Sequence, residues 1–199
     1  MIDQIRFKTG TDLVDGLLEL LKRLESSLDL KQPIQMYIAG GMAAHLYTGA
    51  RVTTDVDAEF SKRFIMPADL LVETKGGQVL YLDANYNSTF ALLHEDYIRD
   101  AIKVPIDSHL IEVYVLSPVD LVVSKIARYS GPDAGDIEEI LKAKLVTGAE
   151  IEVRAKKALT GYIGNTSWVQ HNLNEVLKVA RQLEEVDDSD DEDRPGPRP

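Results

Sequence analysis

Seven apolar residues near the start of the chain recur at steps of three and four. They are Leu13, Val14, Leu17, Leu18, Leu21, Leu24 and Leu28. This spacing places them along one face of an α-helix, so it predicts an amphipathic helix over about residues 11–29. Thr11 is a suitable N-cap because its hydroxyl can accept from free backbone N–H groups, and Pro33 breaks the pattern after the helix.

The middle of the chain alternates short β-prone segments with glycine, proline and polar residues. We predict four strands, over about residues 34–39, 54–60, 78–83 and 110–116. Between them we predict three helices, over about 42–47, from Pro67 to about 74, and over 94–103. Such short elements are typical of a small sheet with helices packed on it.

The C-terminal third contains only helical patterns. Ser117 and Pro118 provide an N-cap and a first-turn proline, which predicts a helix that continues to Tyr129. We predict a loop over 130–133 and further helices near 134–146, 149–163 and 167–185. The fold class is therefore α+β: a small mixed β-sheet with flanking helices, plus a C-terminal helical bundle.

Acidic residues outnumber basic ones, and the excess is concentrated at the C-terminus. The chain has 33 Asp and Glu against 22 Lys and Arg, a formal net charge of −11. Residues 184–199 contain eight carboxylates and two arginines, a net charge of −6. We expect 187–199 to be a disordered tail that either solubilises the protein or competes with nucleic acid for a basic surface. The acidic body argues against a protein that coats DNA.

The composition also limits the compartment and the type of chemistry. The absence of cysteine excludes disulfides, thiolate metal sites and a cysteine nucleophile, and fits a reducing compartment. No segment approaches the roughly 18 consecutive apolar residues of a membrane-spanning helix, and no secretory signal is recognisable. We therefore expect a cytoplasmic protein with no membrane partner.

The strongest chemical signal joins a pair of glycines to a pair of aspartates. Gly40 and Gly41 follow the first predicted strand, and thirteen residues separate Gly41 from Asp55. Glycines at the start of a helix let an anion approach the free backbone N–H groups, an arrangement that suits a triphosphate. Asp55 and Asp57 alternate along the next predicted strand, so we expect both carboxylates on one face, where they can bind Mg²⁺ together.

This order of strand, paired glycines, helix and Asp-x-Asp strand resembles the signature of the DNA polymerase β-like nucleotidyltransferase superfamily. Residues 117–128 and 133–137 resemble a second half-signature, in which a helix bears a lysine and an aspartate opens the next helix. The pairing is similar to that of minimal nucleotidyltransferases that act as toxins in abortive-infection type toxin–antitoxin systems. The resemblance covers about residues 34–145. It implies a nucleotidyltransferase-like core over 1–116 and a helical subdomain over 117–186.

The resemblance implies transfer of a nucleoside monophosphate from an NTP to an acceptor hydroxyl. Gly40, Gly41 and Arg51 would bind the nucleotide phosphates, and Lys125 would neutralise the triphosphate charge. Asp136 would hold Lys125 or act as a base on the acceptor. The acceptor would be an RNA 3′ end or a protein, and an antitoxin protein would be a further partner.

The resemblance further implies a Mg²⁺ cofactor held by Asp55 and Asp57. A third carboxylate is expected in the superfamily, and the sequence offers Asp83, at the end of the third strand, or Glu112, inside the fourth. We favour Asp83 over Glu112. A site with only two acids stays open as well.

Two other interpretations compete with an enzyme. The chain could be a catalytically degenerate nucleotidyltransferase-like module that binds a partner, such as an antitoxin, or an ordinary α/β domain with coincidental motifs. Lys125 could form only an exposed salt bridge, and Asp136 could simply match a helix dipole. The four histidines have no metal-ligand spacing, so we expect surface or packing roles for His45, His94, His109 and His171.

Overall fold

A computed structural model describes residues 5–192 apart from 29, 68, 84, 85 and 107. The helices are α1 (Asp12–Ser27), α2 (Gly40–Thr48), α3 (Pro118–Ile126), α4 (Gly131–Lys142), α5 (Gly148–Leu159) and α6 (Thr166–Glu192). The strands are β1 (Ile34–Ile38), β2 (Asp55–Val56), β3 (Ala58–Phe60), β4 (Leu71–Glu73), β5 (Val79–Leu82), β6 (Ile102–Lys103) and β7 (Ile111–Val115). This mixture confirms the predicted α+β class, with small mixed sheets, flanking helices and a helical C-terminal region.

The strands form two sheets. The larger has the order β3-β1-β7-β6, with β1 and β7 parallel and the other neighbours antiparallel. The smaller has the order β2-β5-β4, with β2 and β5 parallel. Helix α1 packs on the smaller sheet, and a Cβ added at Gly16 would lie 2.7 Å from Leu80 Cδ1. The glycine is therefore needed for this close approach.

The core follows the hydrophobic pattern of the sequence. Leu17, Leu20, Leu21 and Leu24 of α1 are fully buried, as are the inward-facing residues of β1 and β7. Helix α3 lies at the centre of the helical region and contacts α2, α4, α5 and α6. Its position brings the C-terminal helices against the sheet end at which α2 begins.

The predicted strand over 54–60 is split in the structure. Asp55 and Val56 pair with β5 of the smaller sheet, whereas Ala58–Phe60 pairs with β1 of the larger one. Asp57 lies between the two strands, and its carbonyl accepts from Ala39 N at 2.9 Å. The chain therefore changes sheets at the second aspartate of the motif.

Two predicted helices are wrong. The segment from Pro67 to 74 contains strand β4, because Thr74 and Gln78 close a hairpin through which Leu71–Glu73 pairs with β5. The segment 94–103 forms turns and then β6, which pairs with β7 at the sheet edge. In both cases, strand pairing with a distant segment outweighs local helical propensity.

Two boundaries also differ from prediction. Helix α4 begins at Gly131, inside the predicted loop, because Ser130 and Asp133 form a reciprocal capping box. Helix α6 continues to Glu192, into the segment predicted to be a disordered tail, since extending an existing helix costs little per residue. Residues 193–199 of that predicted tail lie outside the described residues.

No helix in the described part of the chain has the length and apolar character needed to cross a membrane.

Glu25 tests how α1 is joined to the larger sheet. Its Oε1 accepts from Leu110 N at 2.7 Å and Ile111 N at 3.0 Å, where β7 begins. We expect Glu25→Ala to lower the free energy of unfolding by about 2 kcal/mol, because two partly buried N–H groups lose their acceptor. Glu25→Gln retains the acceptor oxygen and should lose less. Urea unfolding checks this order, and equal losses would contradict it.

Candidate active site

A pocket of about 330 Å³ lies where β1 ends and α2 begins. The segment that follows β5 and the C-terminal end of α3 form its other walls. Its lining residues are Ala39, Gly40, Asp57, Asp83, Tyr86, Asn87, Ala91, Ser124, Lys125, Ala127, Arg128 and Asp133. Four residues singled out from the sequence, Gly40, Asp57, Asp83 and Lys125, therefore share one cavity.

Gly40 and Asp57 are in close contact. Gly40 has a φ of 60°, in the left-handed region that favours glycine. A Cβ added there would collide with the Asp57 carboxylate. The first motif glycine thus allows the start of α2 and the second motif aspartate to come together.

Asp55 lies near Asp57 but is held by a different neighbour. The buried Thr53 hydroxyl donates to Asp55 Oδ1. A Cβ added at Gly41 would lie 2.8 Å from Thr53 Oγ1, so this glycine makes room for that hydroxyl. The expectation that one continuous strand presents both carboxylates is wrong, because the strand ends at Val56. The two acids are nevertheless close enough for the Asp55 charge to affect Asp57.

Of the two candidates for a third carboxylate, Asp83 lies in the pocket. Parallel pairing of β2 with β5 places Asp83 beside the aspartate motif, and Asp83 N donates to Val56 O at 3.1 Å. Glu112 does not line the pocket and accepts from Lys103 Nζ at 2.7 Å and Gln35 Nε2 at 3.2 Å. The position of Asp83 supports the choice made from sequence, and its role as a metal ligand stays a prediction.

The negative charges of the neighbouring carboxylates repel one another at Asp57. Burial, followed by the charges of Asp55 and Asp83, raises the pKa of Asp57 to about 6, although Lys125 and Arg128 partly oppose the shift. Asp57 is half-buried. The ionised form of Asp57 is therefore less stable here than in an exposed aspartate, and positive charge that enters the pocket would stabilise it.

Lys125 supplies a buried positive charge on the opposite wall. Only 5% of it is exposed, and its Nζ donates to Asp136 Oδ2 at 2.8 Å and lies 3.6 Å from Asp133 Oδ1. Asp136 Oδ1 in turn lies 3.6 Å from Arg51 Nε. The exposed salt bridge considered for Lys125 is therefore wrong, and Asp136 holds the lysine as the resemblance implied.

A second ion pair at the rim was not foreseen from the sequence. Arg128 donates to both oxygens of Asp133, at 2.7 and 2.8 Å, and Ser130 donates to Asp133 through its amide and hydroxyl. Burial alone would raise the pKa of Asp133, but these hydrogen bonds outweigh it and hold the pKa well below its usual range. Tyr129, with a left-handed φ of 45°, turns the chain between the two partners.

Three further polar residues line the pocket, and of these only Tyr86 was considered from the sequence, as one of several aromatic residues that could stack on a base. Tyr86 and Asn87 lie there, and Ser124 lies one residue before Lys125. Burial, and then the charges of Glu59 and Asp57, raise the pKa of the Tyr86 hydroxyl. No sequence signal places these side chains in the pocket, because their placement depends on how the segment after β5 folds back.

The pocket fits Mg²⁺ only in part by itself. Within the described residues, no group of three or more His, Asp or Glu side chains is arranged to hold a metal ion. However, Mg²⁺ is usually bound by one or two carboxylates together with substrate phosphates and water, rather than by a complete protein cage. The crowded carboxylates around Asp57 match that donor set.

A larger cavity, of about 850 Å³, lies against β6 and the start of α3. Its charged groups already pair with protein partners, since Arg154 binds Asp100 and Asp120 and Lys103 binds Glu112. We therefore assign the chemistry to the smaller pocket.

Comparison with known proteins identifies the family of the chain. Residues 15–185 match the family described as nucleotidyltransferase of unknown function, DUF6036. The chain belongs to this family. No curated protein matches the chain, and no solved structure matches it. The general chemistry of a nucleotidyltransferase, which uses an NTP as substrate, is thereby established for the protein.

The carboxylate cluster of this nucleotidyltransferase should lower the free energy of unfolding at neutral pH. The folded pKa of Asp57, about 6, exceeds its ordinary value of 3.8, so the folded state binds the proton more tightly. The stability contributed by Asp57 is therefore greatest below about pH 4 and is lost as the pH rises through 6. In EDTA without nucleotide, Asp57→Asn should raise the free energy of unfolding above pH 7 by up to about 3 kcal/mol.

Urea unfolding at pH 4 to 8 measures this difference, with Asp69→Asn, at an exposed position outside the pocket, as the control. The gain should shrink toward pH 4 and be absent in the control. An Asp57→Asn protein that is less stable than the wild type at pH 8 would contradict the prediction.

Proposed function

We propose that the protein moves a nucleoside monophosphate from an NTP to an acceptor hydroxyl in a Mg²⁺-dependent reaction. The observation that carries the proposal is the convergence of two carboxylates, Asp57 and Asp83, and the buried Lys125 on one pocket beside Gly40, with Asp55 close to Asp57 but outside the lining. The charges of Asp55 and Asp83 act on Asp57, and Lys125 lies across from them. This separation of negative and positive walls suits a metal-bound polyphosphate.

The phosphate end of the nucleotide would lie at the start of α2. Gly40 exposes the backbone there, and Arg51 lies beside Gly41, where an added Cβ would be 3.3 Å from Arg51 Nε. Lys125 completes the cationic side, and an ammonium group is an effective partner for phosphate oxygens. Asp136 fixes Lys125 and is itself buried, so we assign it a holding role and not that of a base.

One or two of the carboxylates of Asp55, Asp57 and Asp83 would hold Mg²⁺ together with phosphate oxygens and water, and the ion would neutralise part of the triphosphate charge when bound. In the reaction, the acceptor oxygen forms a bond to the α-phosphorus. The bond from that phosphorus to the bridging oxygen breaks, and pyrophosphate leaves. A pocket carboxylate takes the hydroxyl proton, and the protein contributes mainly positioning and fixed charge.

The acceptor would approach through a cleft next to the nucleotide pocket. This cleft, of about 370 Å³, shares Ala91 with the pocket and lies between residues 88–97 and the end of α5. Glu59 holds the first wall, since it accepts from Ser88 N at 3.2 Å and Tyr97 OH at 2.5 Å. An acceptor in this cleft would lie beside the nucleotide, because Ala91 lines both cavities.

We extend the proposal to the acceptor class and the biological setting. The resemblance of residues 34–145 to minimal nucleotidyltransferase toxins favours an RNA 3′ end or a protein as acceptor. It also favours a toxin–antitoxin role, with an antitoxin protein as partner.

A cytoplasmic location agrees with the absence of cysteine. The pocket takes residues from both sides of position 116, consistent with a core over 1–116 and a helical subdomain over 117–186.

One observation favours a second function, that of a degenerate module that binds a partner without catalysis. Asp136 already pairs with both Lys125 and Arg51, so part of the positive charge at this wall is neutralised before any ligand binds. Calorimetric titration with Mg-NTP separates the two functions. The enzyme requires binding by the wild type, whereas the scaffold predicts none.

The main experiment incubates the protein with each labelled NTP, Mg²⁺ and total cell lysate, and follows which fraction acquires label. The wild type should label one class of acceptor. Asp57→Asn should reduce the labelling rate about 100-fold or more, because the charged ligand for the metal–phosphate group is lost. EDTA should have the same effect. Asp69→Asn serves as the control, and full activity of Asp57→Asn would refute the proposal.

Lys157 tests the acceptor cleft. It lines the cleft and makes no ion pair with any described residue, whereas its neighbour Lys156 pairs with Glu152 at 2.6 Å and does not line it. Lys157→Ala should reduce labelling of the acceptor several-fold without changing the Kd for NTP. Lys156→Ala should change neither quantity. A weaker Kd for NTP in Lys157→Ala would instead assign this cleft to the nucleotide.

A further inference from the structure

His45 links three parts of the chain behind the pocket. It is buried near the end of α2, and its Nδ1 lies 2.6 Å from the backbone oxygen of Arg51. A carbonyl oxygen can only accept, so Nδ1 carries a proton and donates it. The Nε2 atom lies 2.8 Å from Thr11 Oγ1, the N-cap hydroxyl of α1. The imidazole therefore ties the loop that carries Arg51 to both helices.

The hydrogen bond from His45 anchors the first half of this loop, whereas the buried Thr53 and the carbonyl of Thr54, which accepts from Tyr81 N at 3.0 Å, anchor the second half. The loop leaves α2 through Gly49, which has a left-handed φ of 74°, and reaches β2 only at Asp55. The neighbouring Val52 is 57% exposed and so provides little packing. The hydrogen bond from His45 falls midway along this segment, at Arg51, whose side chain reaches back to Gly41 at the start of α2.

Arg51 has a donor that the protein does not use. Its Nε is buried and has no hydrogen-bond partner in the described part of the chain. The nearest carboxylate oxygen, Asp136 Oδ1, is 3.6 Å away, beyond ordinary hydrogen-bond distance. Buried donors are rarely left unpaired, and an anionic oxygen beside Gly41 would satisfy this one.

We propose that His45 is a positioning residue for NTP binding. The Nδ1–H group of His45 fixes the backbone of Arg51. The fixed backbone holds the Arg51 guanidinium group beside Gly41, where it would donate to a phosphate oxygen of the NTP. The inference rests on the proposed function, since it assigns Arg51 to the phosphates. Packing alone does not require a histidine, because α2 is otherwise apolar at its buried positions and an aliphatic residue would fill the space.

Two variants of similar polarity separate the two hydrogen bonds of the ring. In His45→Asn, the side-chain NH₂ takes the place of Nδ1 and can still donate to Arg51 O. In His45→Gln, the amide oxygen takes the place of Nε2 and can still accept from the Thr11 hydroxyl, so that contact is kept and the bond to Arg51 is lost. Each variant loses one buried hydrogen bond, and we expect both melting temperatures to fall by roughly 2–4 °C.

NTP affinity should distinguish the variants where stability does not. Calorimetry with Mg-NTP should give a Kd for His45→Asn within about threefold of the wild type. His45→Gln should weaken the Kd by about tenfold or more, the usual range for a hydrogen bond to a charged group. In a background of Arg51→Gln, which should itself weaken binding, adding His45→Gln should change the Kd by less than about twofold.

The inference is overturned if both His45 variants lose affinity equally, if neither does, or if the His45→Gln loss persists in the Arg51→Gln background. The proposed function fails separately if the wild type binds no Mg-NTP, and the inference then fails with it. If His45→Gln does not fold, His45→Leu replaces it in the comparison with Arg51→Gln, and the same loss of NTP affinity is expected.

Discussion

The buried ammonium group of Lys125 is the interaction on which the site depends. It is 2.8 Å from an Asp136 oxygen and 3.6 Å from an Asp133 oxygen, so one cation joins α3 to two points on α4. Removing one member of a buried ion pair leaves an uncompensated charge, which is far more costly than loss of a surface pair. The network therefore fixes the relative position of the two helices and keeps a positive charge at the pocket wall.

The side of the pocket that carries the aspartates has an excess of negative charge. Three aspartates lie close together, and the nearby cations reduce but do not cancel their mutual repulsion at Asp57. A folded protein retains such an arrangement when a ligand supplies the missing charge, and perturbed carboxylates in a cleft are typical of functional sites. The same repulsion that weakens the empty protein would strengthen its affinity for a divalent ion and the polyphosphate bound to it.

Much of the fold and about a third of the pocket lining could be predicted from sequence, because the signals are local. The leucine spacing of α1, the cap at Ser117 and the glycine pair each depend on neighbouring residues alone. Strands β4 and β6 could not be predicted, since three and two residues become strands only through pairing with β5 and β7. The family match over residues 15–185 confirms the nucleotidyltransferase chemistry that the motifs implied.

The remaining site residues depend on contacts that no single segment contains. Thr53 gains its role because Gly41 and Asp55 meet it from two elements. Arg128 and Asp133 are close in sequence, but their pairing requires the left-handed turn at Tyr129.

The capping box formed by Ser130 and Asp133 is, in contrast, a local sequence signal that predicts the observed start of α4.

The change of sheets at Asp57 has a mechanical consequence. Asp55 lies in the smaller sheet and Asp83 directly follows its strand β5, whereas Gly40 follows a strand of the larger sheet, and Asp57 joins the two sheets at this point. A small rotation of one sheet against the other would therefore alter the gap between these aspartates and Gly40. Substrate capture could thus be transmitted directly into the relative tilt of the two sheets.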